Sequence, residues 1–261
     1  MDAIILAGGR SGPEDPLFDL TRGGFKSLLP IAGKPMVQWI LDALGQSSLI
    51  EQIVLVGLPE NTPLHSEKPL TITPDRGSII QNIKAGAEAL LQLQRSPDAY
   101  ALAISADIPA ITSECIEWLA HTVAQSQEDL FYCVVERKVM EARFPGSRRS
   151  YINLKGVEVC GGDMNAVRLG EAVREHELVE QLTASRKNAL KQASIIGFGI
   201  LLKLLMRQLS LEEAEKRITR RLGINGRVIV NPYAEIGMDV DKPFQYEIIE
   251  KELLKRSDPT V

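Results

Sequence analysis

Two spacings of apolar residues run along this chain. Ile4-Ile5-Leu6, Ile53-Val54-Leu55-Val56, Leu70-Thr71-Ile72-Thr73 and Tyr100-Ala101-Leu102-Ala103-Ile104-Ser105 are short, nearly unbroken runs, the pattern of strands buried on both faces. Behind Pro35, by contrast, Met36, Val37, Ile40, Leu41 and Leu44 recur at helical spacing, and proline suits the first turn of such a helix. Ser78 predicts the N-cap of a helix from Ile79 to about Leu93, and Thr112 that of another. Strand and helix alternate as in βαβ units, which predicts an α/β fold with a mainly parallel sheet covered on both faces.

The second half is less regular. Leu130 to Val135 predicts a strand, and Tyr151 to Leu154 and Val157 to Val159 a pair of short strands around Lys155-Gly156. A basic loop, Arg143 to Arg149, lies between them. Helices are predicted over Glu171 to Leu182, Lys187 to Gln208 and Leu211 to Leu222, then a strand at Arg227 to Val230 and a last helix from Phe244 to about Lys255.

Composition narrows the function. With 44% hydrophobic and 25% charged residues the chain can bury a core, which argues against disorder. A net charge of -4 argues against a general nucleic-acid scaffold, so anionic ligands must be held by local cations. Cys115, Cys133 and Cys160 are too few and too scattered for a disulfide framework or a structural zinc site, which suits a reducing cytoplasm. No stretch reaches the roughly 18 apolar residues of a membrane span, so a soluble, cytoplasmic protein that meets no membrane is expected.

Candidate chemistry begins where the first strand ends. Leu6-Ala7-Gly8-Gly9-Arg10 places two glycines where the backbone can turn sharply and a ligand can approach without meeting a Cβ. Arg10 and, further on, Lys26 and Lys34 are cations placed to meet an anion, and a ligand with several phosphates fits them. Neither a dinucleotide fingerprint nor a P-loop is present. Asp107 follows an apolar strand and precedes Ile108-Pro109; a hard carboxylate there suits Mg2+, which needs only one or two protein ligands when phosphates share it. Asp239 and Asp241, two residues apart, face one side of an extended segment or converge in a turn, with helix capping by Asp241 the simpler alternative. Arg148 and Arg149 suit an anionic acceptor.

Three segments together carry a family resemblance: Leu6-Ala7-Gly8-Gly9-Arg10 with Lys26 before a Leu-rich stretch and Gly33-Lys34-Pro35; Ala106-Asp107-Ile108-Pro109; and Gly237-Met238-Asp239-Val240-Asp241-Lys242-Pro243. In these the chain resembles the MobA-like (molybdenum-cofactor guanylyltransferase-like) nucleotidyltransferases, relatives of the sugar-1-phosphate nucleotidyltransferases. It differs from much of the family in a longer loop, Ser11 to Gly24, that carries Glu14, Asp15 and Asp19. The resemblance implies a Rossmann-like, GT-A-type three-layer sandwich with a mixed, mainly parallel sheet. It implies transfer of an NMP from an NTP to a phosphorylated acceptor, with Mg2+ and release of pyrophosphate.

The same resemblance implies the site. Leu6, Ala7, Gly8, Gly9, Arg10, Lys26, Gly77, Ser78 and Asn82 would bind the nucleotide, with Lys26 preferred to Lys34 on the triphosphate. Arg10, Lys26 and Asp107 would serve catalysis, Asp107 with Asp241 or Asp239 the metal, and Arg148, Arg149, Gly162 and Asp163 the acceptor. The three segments stand at the start, middle and end of the chain, so one domain over 1–261 is expected, with 1–125 as its nucleotide-binding half and 126–261 as its acceptor-binding half. The alternatives are a GT-A glycosyltransferase, since Asp239-Val240-Asp241 also reads as Asp-x-Asp, and a nucleotide-binding module without turnover. Base, acceptor and oligomeric state stay open.

Overall fold

A computed structural model describes residues 1–185, 191, 194–195 and 197–257. The strands are β1 (Asp2–Leu6), β2 (Pro30–Ile31), β3 (Lys34–Pro35), β4 (Ile53–Val56), β5 (Leu70–Thr73), β6 (Tyr100–Ser105), β7 (Leu130–Glu136), β8 (Ile152–Leu154), β9 (Val157–Gly161), β10 (Met164–Arg168) and β11 (Gly226–Val230). The helices are numbered here α1 (Phe18–Thr21), α2 (Met36–Gln46), α3 (Ile79–Gln92), α4 (Ser113–Ala124), α5 (Arg137–Arg143), α6 (Leu169–Ala172), α7 (Glu177–Ala184), α8 (Phe198–Leu205), α9 (Leu211–Leu222) and α10 (Pro243–Ser257).

The central sheet runs β5-β4-β1-β6-β10-β7-β9-β8, with β11 pairing parallel to β7. β10 and β9 alone oppose the direction shared by the others, so the sheet is mixed but mostly parallel. Strand β7 takes β11 along one edge, while β10 and β9 share the other. Consecutive residues of β1 enter opposite layers: Ala3 and Ile5 join the core under α2 and α4, and Ile4 joins the one under α3 with Val54 and Leu90. Burial on both faces is why these runs lack polar alternation.

Local signals set several boundaries. Ser78 and Thr112 cap α3 and α4 by accepting the Gln81 and Cys115 N–H groups. Pro35 stands at the cap of α2 rather than inside it.

The second half departs from the expected elements in three places. Helix α5 precedes the basic loop. Strand β10 follows the Gly161-Gly162-Asp163 turn. The helix expected over Glu171 to Leu182 is two, α6 and α7. The break between them lies where buried Glu171 holds Arg174 at 3.1 Å and His176 at 2.9 Å. Of the helix expected from Lys187 to Gln208, 187–190, 192–193 and 196 lie outside the described residues, and Phe198–Leu205 is α8. Among the described residues, no helix is long and apolar enough to cross a membrane.

Candidate active site

The carboxyl ends of β1, β6 and β4 meet at one edge of the sheet, as expected for ligand sites in open α/β sheets. Here β1 and β4 are pinched together: the Ala7 N–H donates to Val56 O at 2.8 Å, and a Cβ on Gly57 would collide with the backbone of Gly8. With φ +110 at Gly57 and +96 at Gly9, glycine is required on both sides of the turn. The Asp75 carboxylate lies 3.1 Å from the position a Cβ on Gly8 would take.

A cleft of about 570 Å³ opens beside this turn, lined among others by Leu6, Gly8, Lys26, Asn82, Asp107, Asp163, Asp239 and Asp241. Lys26 enters it from the short 3-10 turn Lys26–Leu28, which Ser27 anchors by donating to Ala7 O at 2.8 Å. Its ammonium donates to Asp107 Oδ2 at 2.8 Å and to Asp241 Oδ1, so it joins the two distant segments. Burial opposes its charge, but Asp107 and Asp241 outweigh that and raise its pKa above the usual lysine range. Ser105 braces the other oxygen of Asp107 by donating to Oδ1 at 2.5 Å, and Val240 N–H donates to Asp107 O at 2.9 Å.

A second cation lies deeper. Arg149 pairs with Asp239 and stands 3.7 Å from Asp163 Oδ2, an oxygen buried with no hydrogen-bond partner. The backbone fixes Asp163: its N–H donates to Ile236 O at 2.7 Å, and its O accepts from Ser105 N–H at 2.8 Å. Burial raises the Asp163 pKa, and the charges of Asp107 and Asp239 add to it. Asp239 is pushed up to about 6 by burial, against the pull of Arg149. Asp241 is the reverse case: burial pushes it up, yet Lys26 holds it below the usual carboxylate range.

Four aspartates therefore share one end of a cleft with two cations. Among the described residues, no three His, Cys, Asp or Glu side chains form a ready cage for an ion. Mg2+ does not need one, because one or two carboxylates plus substrate phosphates suffice. Hard oxygens, and a buried Asp163 oxygen without a donor, fit such an ion.

Other sequence candidates fall elsewhere. Arg10 is exposed and is not among the residues lining the cleft, its guanidinium 4.4 Å from the centre of the Phe25 ring. Lys34 pairs with Asp42 at 2.6 Å and lies over Trp39, so it is not among the cleft residues. Arg148 turns away at φ 50 and stacks on Phe244, so Arg149 alone of the pair reaches the aspartates. Gly162 is buried under Ile236 and supports the turn without lining the cleft. Ser78 is occupied as a cap, Gly77 is exposed, and Asn82 accepts from Arg76 N–H at 2.7 Å and donates to Asp75 at 2.8 Å, bracing the turn before α3. Asp75 and Ser105 are contributors that the pattern of the sequence did not single out; their positions at strand ends were the available signal.

This architecture, with its glycine turn and acidic cleft at the strand ends, is that of an NTP-transferase domain. The MobA-like NTP transferase domain family matches residues 3–193, and the chain belongs to that family. A structure described as a hypothetical transferase from Thermus thermophilus is 33% identical, with a TM-score of 0.78 over 94% of this chain and 98% of that one. Two cytidylyl enzymes share the fold. CMP:2-keto-3-deoxy-manno-octonic acid synthetase, in complex with CTP, is 14% identical at a TM-score of 0.57 over 98% and 99% of the two chains. The 2-C-methyl-D-erythritol 4-phosphate cytidylyltransferase of Thermus thermophilus is 11% identical at a TM-score of 0.53 over 98% and 100%. No curated protein matches the chain in sequence.

Proposed function

We propose that this chain transfers a nucleoside monophosphate from an NTP to a phosphorylated small-molecule acceptor and releases pyrophosphate, with Mg2+ as cofactor. The observation that carries the reading is Lys26, held between Asp107 and Asp241 beside the Gly8-Gly9 turn. An acceptor phosphate oxygen attacks the α-phosphorus, the new P–O bond forms in line, and the bond to the β-phosphate oxygen breaks as pyrophosphate leaves.

Lys26 supplies a permanent positive charge to the triphosphate, and Arg10, exposed directly after the Gly8-Gly9 turn, would add a second. Fixed cations of this kind stabilise charge on the transferring phosphoryl group and hold the reactants in line. Asp107 with Asp241 or Asp239 would hold Mg2+, which when bound would neutralise the α-phosphate and sharpen its electrophilicity. Gly8 and Gly9 let the backbone approach the nucleotide, with Asn82 and Asp75 shaping the wall beside it. Arg149 and Asp163 define the acceptor side, with Gly162 setting the turn that carries Asp163, so both halves of 1–261 serve one site.

Pyrophosphate release with a panel of NTPs and phosphorylated acceptors tests the reading, and CTP heads the panel because the structural neighbours are cytidylyl enzymes. Transfer without pyrophosphate, from a nucleotide sugar, would make the chain a glycosyltransferase. A nucleotide-induced rise in melting temperature with no turnover on any acceptor would make it a binding module.

A further inference from the structure

The cleft does not end at the aspartates. Ala101, Ala103 and Ser105 share one face of β6 with period two; on β10 Asn165 stands in register beside Ala103 and Val167 beside Ala101, with Leu130 of β7 opposite Val167. The cleft follows this line away from the strand ends, over a floor of Ala103, Val167, Leu130 and Ile224. Ile80 and Ile83 of α3 and Ala172 and Val179 of the α6–α7 region also line it. The result is an aliphatic channel wall beyond the phosphate end, with small side chains at Ala103 and Ala172 and with Glu171, Arg174 and His176 as its polar members.

Most polar groups along it already have partners; His176 Nε2, buried 2.9 Å from Glu171 Oε1, is an exception in making no hydrogen bond among the described residues. Asn165 accepts from Cys133 N–H at 2.8 Å and donates to Gly162 O at 3.2 Å. Glu171 is matched by Arg174 at 3.1 Å and His176 at 2.9 Å. A polar sugar entering this space would find few unspent donors or acceptors, and its hydroxyls would lose hydrogen bonds to water without replacement. An aliphatic chain would lose nothing and would remove apolar wall from water.

We infer that the acceptor is a phosphate monoester of an aliphatic alcohol, its phosphate at the aspartate and Arg149 end and its chain in the channel between the sheet and α3, α6 and α7. This rests on the nucleotidyl-transfer reading for what happens to the phosphate, and on the cleft alone for the chain. The balanced reaction is NTP plus alkyl phosphate giving a nucleoside-diphosphate alkyl ester and pyrophosphate.

The test uses the full chain with methyl, butyl and octyl phosphate, each below its micelle concentration, in two readouts. Calorimetric binding without nucleotide should tighten by at least about tenfold from butyl to octyl, since each buried methylene favours binding. Val179→Trp, which fills the channel, should reduce octyl binding to the methyl level while far-UV circular dichroism stays unchanged; the chain-length series on the unmodified protein decides the matter if that variant fails to fold. Pyrophosphate release from NTP with each ester is the second readout. Chain-length-dependent binding without any pyrophosphate would overturn nucleotidyl transfer but keep the channel. Pyrophosphate release and binding both indifferent to chain length would keep transfer and overturn the channel. Complete displacement of octyl phosphate by a non-hydrolysable NTP would assign the channel to the nucleotide and likewise overturn the inference.

Discussion

Lys26 and Asp107 stand 81 residues apart in the chain, and their side chains meet at 2.8 Å. With Asp241 on the other side of the same ammonium, the contact joins the first, middle and last of the three segments that carry the family pattern. A single ammonium thus bridges two carboxylates. On the proposed function, the same charge would turn to the triphosphate and leave the carboxylates to a metal.

Lys26→Ala should lower pyrophosphate release by on the order of a hundredfold, the usual cost of removing one electrostatic stabiliser. Lys34→Ala should change it little, because Lys34 is spent on an exposed pair with Asp42 and on Trp39. Steady-state rates of the two variants decide this; an equal loss in both would move the triphosphate away from Lys26.

Gly57→Ala should destabilise the fold by roughly 1–3 kcal/mol, through a positive φ and overpacking against Gly8. Because the clash falls on the backbone of the phosphate turn, nucleotide affinity should fall as well. Urea unfolding and nucleotide titration measure the two; an unchanged midpoint would mean that the close approach of the two strands relaxes at no cost.

The sequence made the front of this molecule legible because its strands are buried on both faces, and an unbroken run such as Ile53 to Val56 fits little besides a doubly covered strand. The caps Ser78 and Thr112 were legible for a local reason, a hydroxyl two or three residues before an orphan N–H. Strand β10 was not, because Met164-Asn165-Ala166-Val167-Arg168 mixes polar and apolar residues on a strand whose polar members are used inside the fold. Nor could the chain alone separate Arg148 from Arg149: a left-handed backbone at Arg148 sends one outward and the next inward. The company of Asp163 was equally hidden, since it depends on the Gly162 turn lying under Ile236. Side-chain direction in turns is set by tertiary contacts, and a linear pattern does not carry it.

An NTP should stabilise the protein more with Mg2+ than with EDTA, because a ligand that binds only the native state raises its stability by mass action. In Asp241→Asn that difference should shrink sharply, and turnover with it. The melting temperature of the ligand-free variant should hardly move, since Asp241 is more than half exposed and its pair with Lys26 is screened by water. Differential scanning fluorimetry with and without Mg2+ checks both; an active variant that still responds to Mg2+ would leave Asp107 and Asp239 as the metal ligands.

Arg149 is the last case, and here the sign of the pH dependence matters. Asp239 is pushed up to about 6 and Asp163 is raised too, even with the guanidinium between them. Carboxyls raised in the folded state contribute stability that is fully present below their unfolded pKa near 4 and is lost as pH rises through the folded value. The ligand-free protein in EDTA should thus lose stability between about pH 4 and 7. Arg149→Met removes the cation that, among the described residues, pairs with both groups, so at pH 7.5 the variant should lose about 3–5 kcal/mol, the usual cost of stranding a buried charge. Lowering the pH to 5 protonates Asp239, whose value is about 6, and moves Asp163 in the same direction, so much of the deficit should vanish. Denaturant unfolding of both proteins at the two pH values decides it: a deficit of the same size at pH 5 and pH 7.5 would mean that Arg149 serves only to fill space and that the two aspartates do not depend on its charge.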